Sequence, residues 1–124
     1  MPDQDQLGTL ISKLTALSRV EKIVWNETAD EDAFQSSLTK FVVTVSRTHN
    51  SRNWDVWDYH IKVHDLTGKL IEEASDSDFP EGFLIDDKPA SSALNGLHDL
   101  ARRKAQGVDK ALSDLIGSLD QLGH

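Results

Sequence analysis

The chain has 124 residues, 38% apolar and 27% charged, which suits one globular domain and leaves no room for two. It contains no cysteine, which excludes thiolate metal sites, thiol catalysis and a disulfide framework, and fits a reducing compartment. Basic side chains number 13 and acidic ones 21, so the net charge of −8 opposes phosphate backbones and points away from nucleic acid.

Helical spacing comes first. Leu7, Leu10, Ile11, Leu14 and Leu17 recur in steps of three and four, predicting a helix within residues 1–19. Asp3 or Asp5 can cap its start and complement the helix dipole. No apolar run approaches the ~20 residues of a membrane span. Met1-Pro2-Asp3-Gln4-Asp5 is acidic where a secretory leader is basic. The expected location is the cytoplasm, with no membrane contact.

Residues 20–75 change to alternation. Ile23 and Trp25 suggest a short strand, followed by an acidic turn region from Asn26 to Asp32. Phe41, Val43 and Val45 mark a firmer strand, which can begin as early as Phe34. After the polar turn Thr48–Arg52, Trp57, Tyr59, Ile61 and Val63 take one face of the clearest strand. Asp58, His60, Lys62 and His64 take the other. Asp65-Leu66-Thr67-Gly68 reads as a tight turn, and Lys69 to Ala74 as the returning strand. No crossover is long enough for a parallel pair, so four strands should form an antiparallel meander.

Residues 76–89 form an acidic loop whose Phe79, Phe83, Leu84 and Ile85 should bring part of it onto the body. From Ser91 or Ser92 as cap, residues 90–122 turn helical. The stripe Leu94, Leu97, Ala101, Ala105, Val108, Leu112, Leu115, Leu119 and Leu122 keeps its phase across Gly107. That favours one long helix, kinked at most. About 30 helical residues span about 45 Å, against about 20–27 Å for a strand of the meander. The helix should overhang its sheet, and a second copy of the chain would cover the excess. The other outcome is that Gly107 bends the helix back over its own sheet.

The sequence Asp58-Tyr59-His60-Ile61-Lys62-Val63-His64-Asp65 invites a metal reading. On a helix, histidines four apart can share zinc, but the glutamate of the zinc-protease motif is replaced by Ile61. On a strand they share a face about 13 Å apart, too far for one ion with bonds of about 2.0–2.1 Å. Asp76-Ser77-Asp78-Phe79-Pro80-Glu81-Gly82 starts like a calcium loop, yet its fifth and sixth positions are Pro80 and Glu81. No phosphate loop or nucleophile elbow is present. An acid–base pair of Asp58 or Asp55 with His60 has no further support.

Arg102, Arg103 and Lys104 spread around the last helix, where Asp99 can pair with them. Trp54 follows the polar turn on the parity opposite to the inward residues, and an exposed tryptophan there would anchor a partner. Arg47 and Arg52 are expected to meet Asp76, Asp78 and Glu81 and to order the acidic loop.

The reading is therefore a single α+β domain: an N-terminal helix, a four-stranded antiparallel meander and a long C-terminal helix on one sheet face. In size, acidity and layout it resembles small bacterial secretion chaperones or immunity-type proteins, a likeness that carries over no residue. It implies a non-catalytic protein-interaction protein that acts as a homodimer and binds another protein. The expected contacts are Trp54, His60, His64, Arg102 and Arg103, with no cofactor or metal. The alternative is a small-ligand or nucleotide-binding protein with its pocket between sheet and C-terminal helix.

Overall fold

The computed structural model describes residues 4–123. The cap expected at Asp3 lies outside them.

Helix α1, Gln4–Arg19, forms where the leucine spacing places it. Leu7, Ile11 and Leu14 are buried, Leu10 packs against the core, and Leu17 is left on the surface. Gly8 lets the loop ring of Phe83 approach closely: a Cβ there would stand 3.2 Å from Phe83 Cε1.

Ile23–Trp25 is irregular and not the strand that alternation suggested. A side-chain relay replaces ladder bonding. The Trp25 indole N–H donates to Ser18 Oγ at 2.8 Å, and the Ser18 hydroxyl donates to the Leu14 carbonyl at 2.6 Å. Both residues are buried, so the relay satisfies polar groups that burial would otherwise strand.

The sheet has five strands, not four, all antiparallel and in chain order. They are β1 Asn26–Glu27, β2 Ala33–Ser37, β3 Phe41–His49, β4 Trp57–Asp65 and β5 Leu70–Ser75. The extra strand arises because Phe34 begins a strand of its own. It turns back at Leu38, whose N–H donates to the Phe41 carbonyl at 2.8 Å. Residues Ser37-Leu38-Thr39-Lys40 contain no Gly, Pro, Asn or Asp, and Ser37 and Thr39 are weaker turn formers, so the sequence marks that turn only faintly.

The expected alternation of β4 holds. Phe34, Val43, Val45, Ile61 and Ala74 form the inner face of the sheet. They meet Ile11 and Leu14 from α1 and Leu94, Leu97 and Ala101 from the last third of the chain. Each large side chain buried there is worth about 1.5–3 kcal/mol. The Asp65–Gly68 turn is as expected: Gly68 takes φ +92°, and Asp65 Oδ1 accepts from the Thr67 N–H at 2.9 Å and the Lys69 N–H at 3.0 Å. These bonds, led by the Thr67 hydroxyl, hold the Asp65 carboxyl below its ordinary range.

The acidic segment does lie on the body. A 3-10 turn, Asp76–Asp78, precedes the buried Phe79. A small hairpin follows, β6 Leu84–Ile85 with β7 Lys88–Pro89. Its tip, Asp86 and Asp87, has positive φ at both residues, as a type I′ turn requires.

The single C-terminal helix is corrected to two: α2, Ala90–Ala105, and α3, Val108–Leu122. Gly107 between them is left-handed, φ 63° and ψ 34°. The Gln106 N–H closes α2 on the Arg102 carbonyl at 2.9 Å, and the Ala111 N–H starts α3 on the Gly107 carbonyl at 2.9 Å. A left-handed residue redirects the axis even when the apolar phase continues, so phase alone was a poor guide. The start of α2 also differs from expectation. Pro89 is the N-cap, φ −54°, and Ser91 and Ser92 lie inside the helix. Among the described residues, no helix is long and apolar enough to cross a membrane.

Candidate functional site

Helix α2 lies on the inner face with Leu94, Leu97, His98 and Ala101 directed into the body, each at most 3% exposed. The space between α2 and the sheet is thus filled by side chains. His98 stands edge-on between the rings of Phe34 and Tyr59, with centroids 5.5 and 5.7 Å away. Its Nε2–H donates to the Asp32 carbonyl at 2.8 Å, which fixes the tautomer. Burial pushes the His98 pKa down, and the charges of Arg47 and Arg102 add to this, against the pull of the Asp32 carbonyl.

Beyond the covered region, the inner face ends in a ladder of flat groups. The Arg47 guanidinium lies 4.0 Å above the Trp57 ring. Trp57 stacks on His49 at 3.9 Å, and His49 stacks on Trp54 at 3.7 Å. The register makes this possible, since His49 faces Trp57 across the β3–β4 pair. His49 Nδ1–H also donates to the Trp54 carbonyl at 2.8 Å. Trp54 remains 72% exposed and offers its outer ring face to solvent. The sequence places His49 in a polar turn and Trp57 on one face of a strand, and does not join them. The signal that was available is the pairing of the two ends of one hairpin.

The five contact residues expected from the sequence do not converge. Trp54 caps the ladder at the β3–β4 turn. His60 and His64 sit on the opposite, open face of β4, where Thr48 Oγ1 is 2.8 Å from His60 Nε2. Arg102 and Arg103 lie at the far end of α2 and are engaged locally, with Asp99 at 2.9 Å and with Asp109. Among the described residues, no group of histidines and carboxylates is placed to hold a metal ion.

The expected pairing of Arg47 and Arg52 with the acidic loop is not found. Arg47 Nε bonds Asp32 Oδ1 at 3.1 Å. The reason is the additional strand, which sets Ala33 opposite Ser46 and so brings Asp32 beside Arg47. Asp78 turns back on its own chain instead and accepts the Ser75 N–H at 2.8 Å. Asp76 is partly buried near Asp58. Burial first and the Asp58 charge second raise its pKa, partly offset by the N–H groups of Ser77 and Tyr59.

Helix α3 carries an uncovered apolar stripe. None of its residues is buried, and Leu112, Leu115, Ile116, Leu119 and Leu122 are 47–81% exposed. The Lys104–Glu21 pair, at 3.1 Å, ties the end of α2 to the end of α1 just before Gly107. Leu17, Val20 and Val24 at that end of α1 are exposed as well.

No protein-family model, no curated protein and no solved structure matches this chain.

Proposed function

We propose that this is a non-catalytic protein-interaction protein of the cytoplasm that acts as a homodimer and holds a second protein. The observation that carries the reading is α3, a helix with a full apolar stripe and no surface of its own chain beneath it. Monomeric proteins rarely leave contiguous apolar patches of this kind uncovered.

Several features favour a second copy as the cover. Val108, Leu112, Leu115, Leu119 and Leu122 alternate in steps of four and three, the heptad spacing of a helix–helix seam. The positions flanking the seam are Asp109, Ala111, Ile116 and Ser118, and the one charge among them, Asp109, is already paired with Arg103. Asp114 and Asp120 point away from it by helical periodicity. A helix of 15 residues is only about 22 Å long, and a stable interface needs roughly 800 Å² from each partner. Leu17, Val20 and Val24, exposed near the end of α1 that the Lys104–Glu21 pair ties to α2, offer further apolar surface. The cysteine-free composition supports the cytoplasmic assignment.

Light scattering coupled to size exclusion over a wide concentration range tests the reading. The wild-type chain should run as a dimer, and Leu115→Glu/Leu119→Glu as a folded monomer. A wild-type chain that stays monomeric at the highest concentration removes the proposal.

A further inference from the structure

The long edge strand of the sheet is β5, opposite the two-residue edge β1, and its outward-facing donors are occupied in an unusual way. In an antiparallel ladder, successive residues point their N–H and C=O alternately towards the neighbouring strand and away from it. On β5 the N–H groups of Glu73 and Ser75 go to side-chain carboxylates and not to β4, so these are the outward residues and Ala74 and Glu72, opposite Ile61 and Val63, the inward ones. Neither outward N–H is left bare. The Glu73 N–H donates to Glu72 Oε1 at 2.9 Å, and the Ser75 N–H donates to Asp78 Oδ2 at 2.8 Å. Two carboxylates of the chain itself thus stand where the carbonyls of an added strand would lie.

An uncovered edge is a template for strand addition, and charged side chains are a common way to restrain it. Here the restraint is reversible, because at accessible sites Glu72 is held by one backbone bond and Asp78 by the Ser75 N–H and, at 3.4 Å, the Ser75 hydroxyl. Beside it, the bulge at Ile71 breaks the register between Val63 and His64. Ile71 and Glu72 border a depression of about 410 Å³ floored by Phe41 and Val63 and walled by Leu10 of α1. Ile71 is half exposed there.

The geometry points to an extended, basic segment of a partner protein as the occupant, added to β5 as a sixth strand. This rests on the reading of the chain as an interaction protein and names the second partner's chemistry. Backbone carbonyls of the segment would take the Glu73 and Ser75 N–H groups. Its lysines or arginines would pair with the displaced Glu72 and Asp78, and with Glu73. One apolar side chain would enter the depression at Ile71. On the open face the basic neighbours are Lys62, opposite Glu73, and His60, opposite Ser75. A second copy is the poorer occupant, because two β5 edges paired antiparallel would set Glu72 and Glu73 against the same residues of the other copy. Like charges directly opposite each other destabilise a strand pair.

The test is amide hydrogen exchange of the full chain, read by NMR at Glu73 and Ser75. The probe is a short acetylated peptide alternating lysine with valine. Its controls are the glutamate–valine counterpart and a lysine–valine peptide N-methylated at alternate amides. The basic peptide should slow exchange at both amides, and the two controls should bind about tenfold more weakly or worse. In Glu72→Lys/Glu73→Lys the preference should pass to the acidic peptide. No protection by any peptide overturns the proposal, as does equal binding of both charges. Protection that appears without peptide and grows with protein concentration assigns the edge to a second copy and also overturns it. The oligomeric state set by α3 is read separately by sizing, so failure at one surface leaves the other standing.

Discussion

The indole of Trp54 and the imidazole of His49 lie face to face, their planes 14° from parallel. His49 is the middle of the three rings in the ladder, since its other face meets Trp57. Aromatic stacks contribute about 0.5–1.5 kcal/mol each beyond the area they bury. His49→Ala removes two and should cost about 1–3 kcal/mol. Trp54→Ala removes one and should cost about half as much. Urea midpoints of the two variants rank them, and a Trp54 variant that is the more destabilised contradicts the ladder.

Gly107 separates α2 from α3 by its left-handed backbone, and no atom lies within 4 Å of where a Cβ would stand. Alanine there meets strain and no clash. A left-handed conformation costs an L-residue roughly 1–2 kcal/mol, and alanine favours helix over glycine by about 1 kcal/mol. Because α3 buries nothing against the body, little opposes straightening. Gly107→Ala should therefore fuse α2 and α3, raising helical circular dichroism and lengthening the particle in small-angle scattering. A particle of unchanged length would mean that α3 is held from elsewhere.

Leu97 is fully buried and Leu115 is more than half exposed. Leu97→Ala should cost about 2–5 kcal/mol at any protein concentration. Leu115→Ala should cost less than about 0.5 kcal/mol in dilute solution. Its cost should grow with concentration as the seam between copies forms. Melting temperatures measured across a dilution series separate the two behaviours.

His98 gives the fold a dependence on pH. Its folded value lies below the ordinary 6.5, so just below pH 6.5 the unfolded chain takes up a proton that the folded chain refuses. The stability it contributes is complete above pH 6.5 and is lost as pH falls through the folded value. His98→Gln keeps a donor for the Asp32 carbonyl and removes the titration. The difference in urea midpoint between wild type and variant should shrink as pH drops from neutral towards 5. A constant difference would show that the ring is not kept neutral.

Asp76 runs the other way. Its folded value is raised above 3.8, so its contribution is present below that pH and lost as pH rises through the folded value. At neutral pH its charge is a liability beside Asp58, and Asp76→Asn should be at least as stable as wild type. At pH 3.5 that advantage should vanish. A variant that is less stable at neutral pH would show that the N–H bonds from Ser77 and Tyr59 outweigh burial.

Periodicity and alternation belong to the chain itself, and what rests on them was legible beforehand. The α1 stripe from Leu7 to Leu14, the two faces of β4 and the Asp65–Gly68 turn all follow from residues close in sequence. So does the settling of Phe79 and Ile85 onto the body, since apolar groups of that size leave water wherever they can. Of the site, the exposure of Trp54 and the uncovered leucines beyond Gly107 could be anticipated, but their neighbours could not. Only the tertiary structure decided that Phe34 starts a separate strand, that Arg47 meets Asp32 and not the acidic loop, and that α3 leaves the body. It alone placed His49 between two tryptophans and set Glu72 and Asp78 over the outward amides of β5. The physical reason is common to these cases: periodicity decides which way a side chain points, whereas its partner depends on register and on what lies across the sheet, which local sequence does not encode.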